Sequence, residues 1–115
     1  VTLAGPRGDR AAAIGQELGL CMAREAFPDR GYTSEGTLVP RSSPGALVQD
    51  PEQVASRALD MAHGEVKTVE GQTIVLQADT LCVHGDSQKA ADLVAVIRLL
   101  LTTNGITLSR LRNQL

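Results

Sequence analysis

An α/β fold with parallel strands is what this sequence predicts, and three observations carry the prediction. Short apolar runs of strand length alternate along the chain with helical patterns, the arrangement that favours strand–helix–strand units. One such run, Leu81-Cys82-Val83, passes straight into His84-Gly85-Asp86 and then into a long apolar helix pattern. That is how a buried strand delivers an imidazole and a carboxylate to the mouth of an α/β fold, where ligand-handling residues concentrate. A second run ends in charge in the same way, from Arg24 through Glu25 and Phe27 to Asp29-Arg30-Gly31-Tyr32, and it holds the only Phe and the only Tyr of the chain.

Taken in order, Val1–Ala4 reads as a short buried strand and Gly5-Pro6-Arg7-Gly8 as a loop. Asp9 is placed to cap a helix to about Leu20, with Ala13, Ile14, Glu17 and Leu18 at helical spacing and Gly19 near its end. Cys21–Phe27 is the second strand, on which Cys21, Ala23, Glu25 and Phe27 share a face. Glu25 stands out there, because an unpaired buried carboxylate is costly; it must meet water, a partner or a site. Residues 28–49 form a long connection rich in Pro, Gly and Ser, with a brief strand expected at Thr37-Leu38-Val39. Loops of that length in compact domains are usually functional or disordered.

Asp50-Pro51-Glu52-Gln53 is a strong helix start, with Asp50 as N-cap, Pro51 in the first turn and Gln53 completing a capping box. Val54, Ala58, Met61 and Ala62 form its apolar stripe, and His63-Gly64 ends it, His63 as a capping side chain. Val66–Val69 and Gln72–Leu76 around Glu70-Gly71 read as a β-hairpin with a two-residue turn, a decoration outside the main sheet. Thr80–Val83 is the last strand. Ser87 caps a final helix to about Thr103, stopped by Asn104-Gly105. This helix is apolar nearly all round and is expected to be covered on more than one side. Leu108, Leu111 and Leu115 suggest a short amphipathic tail.

The composition narrows the classes of function. At 115 residues the chain is at most one domain. Aromatics make up 2%, so the core must be aliphatic. A formal net charge of -2 with no basic block argues against nucleic acid or an anionic membrane as the main partner. The nearly apolar run 90–101 is interrupted by Asp92 and Arg98 and is too short for a bilayer span. No signal-peptide pattern opens the chain, and Cys21 and Cys82 read as small buried hydrophobes of a reducing compartment, so a cytoplasmic location is expected. The chain opens inside a strand pattern with Val rather than Met, and a piece of something longer is expected.

Glu25-Ala26-Phe27-Pro28-Asp29-Arg30-Gly31-Tyr32, Gly36-Thr37-Leu38-Val39-Pro40-Arg41-Ser42 and Leu81-Cys82-Val83-His84-Gly85-Asp86 resemble, in the right order, the C-terminal part of the LamB/YcsF family. The resemblance implies an irregular (β/α) barrel of glycoside hydrolase/deacetylase type. It also implies the A subunit of an ATP-dependent 5-oxoprolinase, which acts with two further subunits to open 5-oxoproline to glutamate. The family's opening Asp-Leu-Asn-type strand and its other His-bearing strand ends belong to an N-terminal half absent from this chain. Residues 1–115 are therefore expected to be roughly the second half of one barrel domain, inactive when alone and either self-associating or dependent on the missing parts for order.

The residues themselves are compatible with that chemistry. Opening an unstrained lactam needs an activated carbonyl and attack by water. His84, Asp86 and Glu25 are the candidate catalytic groups, able to move protons or orient water. Arg30 and Arg41 are candidates for a bidentate grip on the substrate carboxylate, with Tyr32 beside them. Each has a structural alternative: a strand-end hydrogen bond for His84, a turn for Asp86, an Arg partner for Glu25, a loop salt bridge for Arg41. Phe27 reads as core. ATP with Mg2+ is expected to bind mainly outside this chain, since no Gly-x-x-x-x-Gly-Lys-[Ser/Thr] loop exists in it. No metal site is assigned, because one strand-end His with scattered carboxylates is too little. Two other readings stand beside the first: a metal-dependent carbohydrate hydrolase or deacetylase on a related barrel, and a non-catalytic interaction subunit.

Overall fold

The computed structural model describes residues 2–6, 21–84 and 88–109. Three strands, β1 (Thr2–Pro6), β2 (Cys21–Ala26) and β5 (Thr80–Leu81), form a parallel sheet in the order β1-β2-β5. The register pairs Thr2 with Cys21 and Pro6 with Glu25 on one side of β2, and Ala26 with Leu81 on the other. Gly5 and Pro6, expected in a loop, extend the first strand; Pro lacks an N–H to donate, and β1 lies at the edge of the described sheet. The expected helix from Asp9 to Leu20 and the Ser87 cap lie outside the described residues.

Helix α1 (Pro51–Ala62) starts where Asp50 is still extended, at φ -69° and ψ 120°. The expected capping box is not made: the Asp50 side chain caps nothing. Pro51 at the first turn, whose missing N–H costs the helix nothing, and the bond from the Val54 N–H to the Asp50 carbonyl start the helix without it. His63 ends it with its backbone N–H on the Leu59 and Asp60 carbonyls, followed by Gly64 at φ +87°, where only glycine sits without strain. The buried face is Val54, Ala55, Ala58 and Met61; Ala62, expected on it, is exposed and Ala55 takes that role.

Two apolar clusters meet on α1. Ala26, Tyr32, Met61, Val66 and Leu76 form one; Val54, Ala55, Ala58, Ile97 and Leu101 form the other, and Leu81 packs against both. The second cluster joins α1 to α2 (Gln88–Thr103). Only one face of α2 is covered by described residues: Val94, Val96 and Leu99 are exposed, Leu99 at 69%. Strands β3 (Glu65–Lys67) and β4 (Thr73–Val75) make the expected separate hairpin. Its turn is longer than two residues, because Lys67 pairs with Thr73 and Thr68 closes onto the Gln72 and Gly71 backbone.

The segment before β5 is fastened to β2 by a surface clasp. Arg24 donates from its backbone N–H (2.8 Å) and Nε (3.0 Å) to Asp79 Oδ2 and from Nη2 to Oδ1 (3.2 Å), while Nη1 reaches Gln77 Oε1. The Arg24 guanidinium holds the Asp79 carboxyl below the usual carboxylate range. A depressed folded value means that the clasp contributes fully above the unfolded Asp value, near 3.9, and is lost as pH falls through the lower folded one. Both side chains are more than a third exposed, so solvent screening leaves about 0.5 kcal/mol. Urea unfolding is expected to show Asp79→Asn slightly destabilising at neutral pH and indistinguishable from wild type at about pH 2. An equal deficit at both pH values would mean that the carboxylate charge is not what matters.

Candidate functional site

The carboxyl ends of β2 and β5 lie side by side, with the Cys82 N–H donating to the Ala26 carbonyl (2.8 Å) just past the last paired residues. Beyond this point β2 continues into Phe27-Pro28-Asp29 and β5 into Val83-His84. The two exits meet through Asp29. Its carboxylate accepts the His84 backbone N–H at 2.9 Å and lies 3.2 Å from His84 Nδ1. The imidazole also stacks on Phe27, with ring centroids 5.2 Å apart and planes 18° from parallel. The ring is thereby fixed in orientation by a carboxylate and an aromatic face, and Nε2 is the nitrogen that Asp29 leaves unengaged. The Asp29 side chain is 15% exposed and that of His84 45%: an anchored acid beneath an imidazole open to solvent.

His84 and Asp29 line a cavity of about 590 Å³ with Val48, Pro51, Lys89 and Leu93. A mostly apolar wall with a few convergent polar groups is the usual form of a small-molecule site. Glu25 is not in this lining. It lies instead beside Cys82, whose thiol is pushed up by burial and by the Glu25 and Asp29 carboxylates. The expectation that His84 and Glu25 share a cavity is not met by this one, although both stand at strand ends of one sheet. Asp86 lies outside the described residues.

The long connection is ordered by its own backbone ladder. Gly31 N–H donates to Ala46 O, Val39 N–H to Gly31 O and Val48 N–H to Asp29 O, each at 2.9 Å. Thr37–Val39, expected as a brief strand, contributes a single bridge, Leu38 to Tyr32. Arg30 is buried inside this loop, its Nε on Ala46 O (3.2 Å) and Nη2 on Val39 O (3.0 Å). Tyr32 is buried too; its hydroxyl accepts the Phe27 N–H at 3.0 Å, and burial pushes the phenol up. The geometry thus employs both in holding the loop that carries Asp29. Arg41 is exposed. Lys89, which sequence reasoning passed over, is a cation in the cavity wall. Asp29 was passed over as well. Its only signal was its place between Pro28 and Arg30 at the end of a strand that stops in charge.

Among the described residues no group of three His, Cys, Asp or Glu is placed to hold a metal ion. None of their helices is long and apolar enough to cross a membrane.

Comparison with known proteins gives a consistent family. The model of the LamB/YcsF family matches residues 1–115. The 5-oxoprolinase A subunit of Deinococcus radiodurans is 43% identical over 113 residues, covering 98% of this chain and 44% of the relative. That of Pyrococcus furiosus is 45% identical over 107 residues, covering 92% and 41%. The crystal structure of a lactam utilization protein from Thermus thermophilus superposes with a TM-score of 0.84 at 36% identity, over 92% of this chain and 42% of that one. The chain therefore spans about two-fifths of the length of the relatives it matches.

Proposed function

The chain belongs to the LamB/YcsF family, and on that premise we propose that it is the C-terminal part of the A subunit of a 5-oxoprolinase. In this reading residues 1–115 complete an irregular (β/α) barrel with an N-terminal half, and the assembled subunit works with two others to open 5-oxoproline to glutamate. The observation that supports a site in this part is the Asp29–His84 couple, fixed at the carboxyl ends of two parallel strands and facing a cavity.

The chemistry assigned to the couple is the proton transfer that accompanies attack of water; the activation that an unstrained lactam carbonyl needs is assigned, with ATP, to another part of the assembly. Water adds to the lactam carbonyl carbon and gives a proton to Nε2 of His84. The ring C–N bond then breaks, and the same proton passes to the departing nitrogen, leaving the amino and carboxyl groups of glutamate. Asp29 on Nδ1 holds the ring in orientation and stabilises its charged form between the two transfers. Lys89 in the cavity wall and Arg41 on the exposed loop are the cations offered to the substrate carboxylate. Glu25, beside Cys82, stays a candidate for orienting water. The chain has no Gly-x-x-x-x-Gly-Lys-[Ser/Thr] phosphate loop. We assign the nucleotide to the other parts of the assembly and route no step through it.

The test is reconstitution. The complete protein, its two partner subunits, ATP and 5-oxoproline are expected to release glutamate only when all are present. Release of acetate or reducing sugar from an acylated saccharide by the complete protein alone with a divalent metal would overturn the proposal. So would a mixture in which removing this subunit leaves glutamate release unchanged.

A further inference from the structure

Arg57 stands on α1, behind the loop that carries Asp29, and is half-buried. Its Nε donates to the Pro28 carbonyl at 2.9 Å and its Nη2 to the Arg30 carbonyl at 2.6 Å. One planar guanidinium therefore grips the carbonyls of the two residues that flank Asp29. The third nitrogen, Nη1, donates to the Lys67 carbonyl in β3 at 3.1 Å, which ties the grip to the hairpin. From the other side the Val48 N–H holds the carbonyl of Asp29 itself at 2.9 Å. Three consecutive carbonyls, those of Pro28, Asp29 and Arg30, are thus each held by a donor, and the Asp29 carboxylate is left pointing at His84.

We propose that Arg57 is the positioning residue for the Asp29–His84 couple. The inference rests on the reading of that couple as catalytic and adds a third, indirect member to it. Burying a cation among carbonyls is costly, and burial pulls the Arg57 guanidinium down from its ordinary range. A neutral side chain or a Lys would satisfy fewer carbonyls, since only the guanidinium offers five N–H donors in a rigid plane. What the fork gives in return is the placement of one loop residue from both flanks. A carboxylate that orients a base is sensitive to such placement, because an error of about 1 Å costs up to ~10²-fold in rate.

The test uses the complete protein with its partner subunits and reads kcat and KM for 5-oxoproline. Arg57→Ala is expected to lower kcat by about 10–10²-fold with little change in KM. Millimolar guanidinium chloride is expected to restore part of that loss by refilling the grip. In an Asp29→Asn background the same Arg57→Ala change is expected to cost less than about twofold more, because its route of action is already gone. Where Arg57→Ala does not fold, Arg57→Lys carries the test, with a smaller loss in kcat and the same dependence on Asp29. Full additivity of the Arg57 and Asp29 changes overturns the inference, as does a folded Arg57 variant with normal kcat while Asp29→Asn is impaired. Normal turnover of Asp29→Asn overturns the reading of the couple itself, and the positioning role falls with it.

Discussion

Replacing His84 by alanine in the complete protein lowers 5-oxoproline-dependent turnover by ~10²–10⁴-fold and leaves the fold intact. The rate effect is that of removing a positioned acid–base group. Stability changes little because the ring is nearly half exposed and belongs to neither apolar cluster. It loses its stack on Phe27, about 0.5–1.5 kcal/mol for such a pair. It also loses the solvent-screened contact with Asp29, about 0–1 kcal/mol. The His84 backbone N–H still reaches Asp29, so the two strand exits stay joined. Steady-state assays of the reconstituted enzyme, run beside thermal melts, separate the two effects. Near-normal turnover would remove His84 from the chemistry. Loss of soluble protein would instead make the imidazole a structural fastener between β2 and β5.

The order of the described elements was legible in the sequence because each rests on local signals: a Pro at a helix start, a Gly past a helix end, apolar runs of strand length. His84 was legible as the residue beyond a strand end, although that strand, Thr80–Leu81, stops two residues short of the expected Thr80–Val83. Asp29 was not, because its partner is 55 residues away and no local pattern marks a carboxylate that will turn towards it. Arg30 and Tyr32 show the reverse failure. Both look like polar loop residues in the sequence, yet the loop folds back on itself and buries them against carbonyls and the Phe27 N–H. The capping box at Asp50 failed for a related reason: the motif permits the hydrogen bond, but backbone geometry and Pro51 already define the start. The apolar periodicity of α2 records what a helix can bury, not which elements reach it: among the described residues one face is covered.

Gly31 is the position where the smallest substitution has the largest structural effect. A Cβ there would collide with the Gly45 carbonyl oxygen and lie 2.8 Å from Val69 Cγ1. The first obstacle is backbone, not the far end of a flexible side chain. Neither strand of the loop can yield cheaply, since Gly31 donates to Ala46 O and accepts from Val39 N–H, both at 2.9 Å. Gly31→Ala is therefore expected to cost about 3 kcal/mol, at the upper end for overpacking. In a protein of the relatives' length that is a fall of roughly 6–12 °C in Tm. Gly71 is the control: it sits at φ +89° with nothing within 4 Å of an added Cβ. Gly71→Ala carries only the left-handed backbone cost, about 1–2 kcal/mol. The two variants also differ in function. Gly31 is two residues from Asp29, so pushing the 31–45 contact apart moves the carboxylate away from His84, and turnover falls at temperatures where the protein is still folded. Gly71, at the tip of the hairpin, leaves turnover unchanged. Thermal melts and assays at 25 °C on both variants decide the matter. A Gly31→Ala protein that melts within about 2 °C of wild type would show that the loop has slack. Its ladder would then not be what holds Asp29 in place.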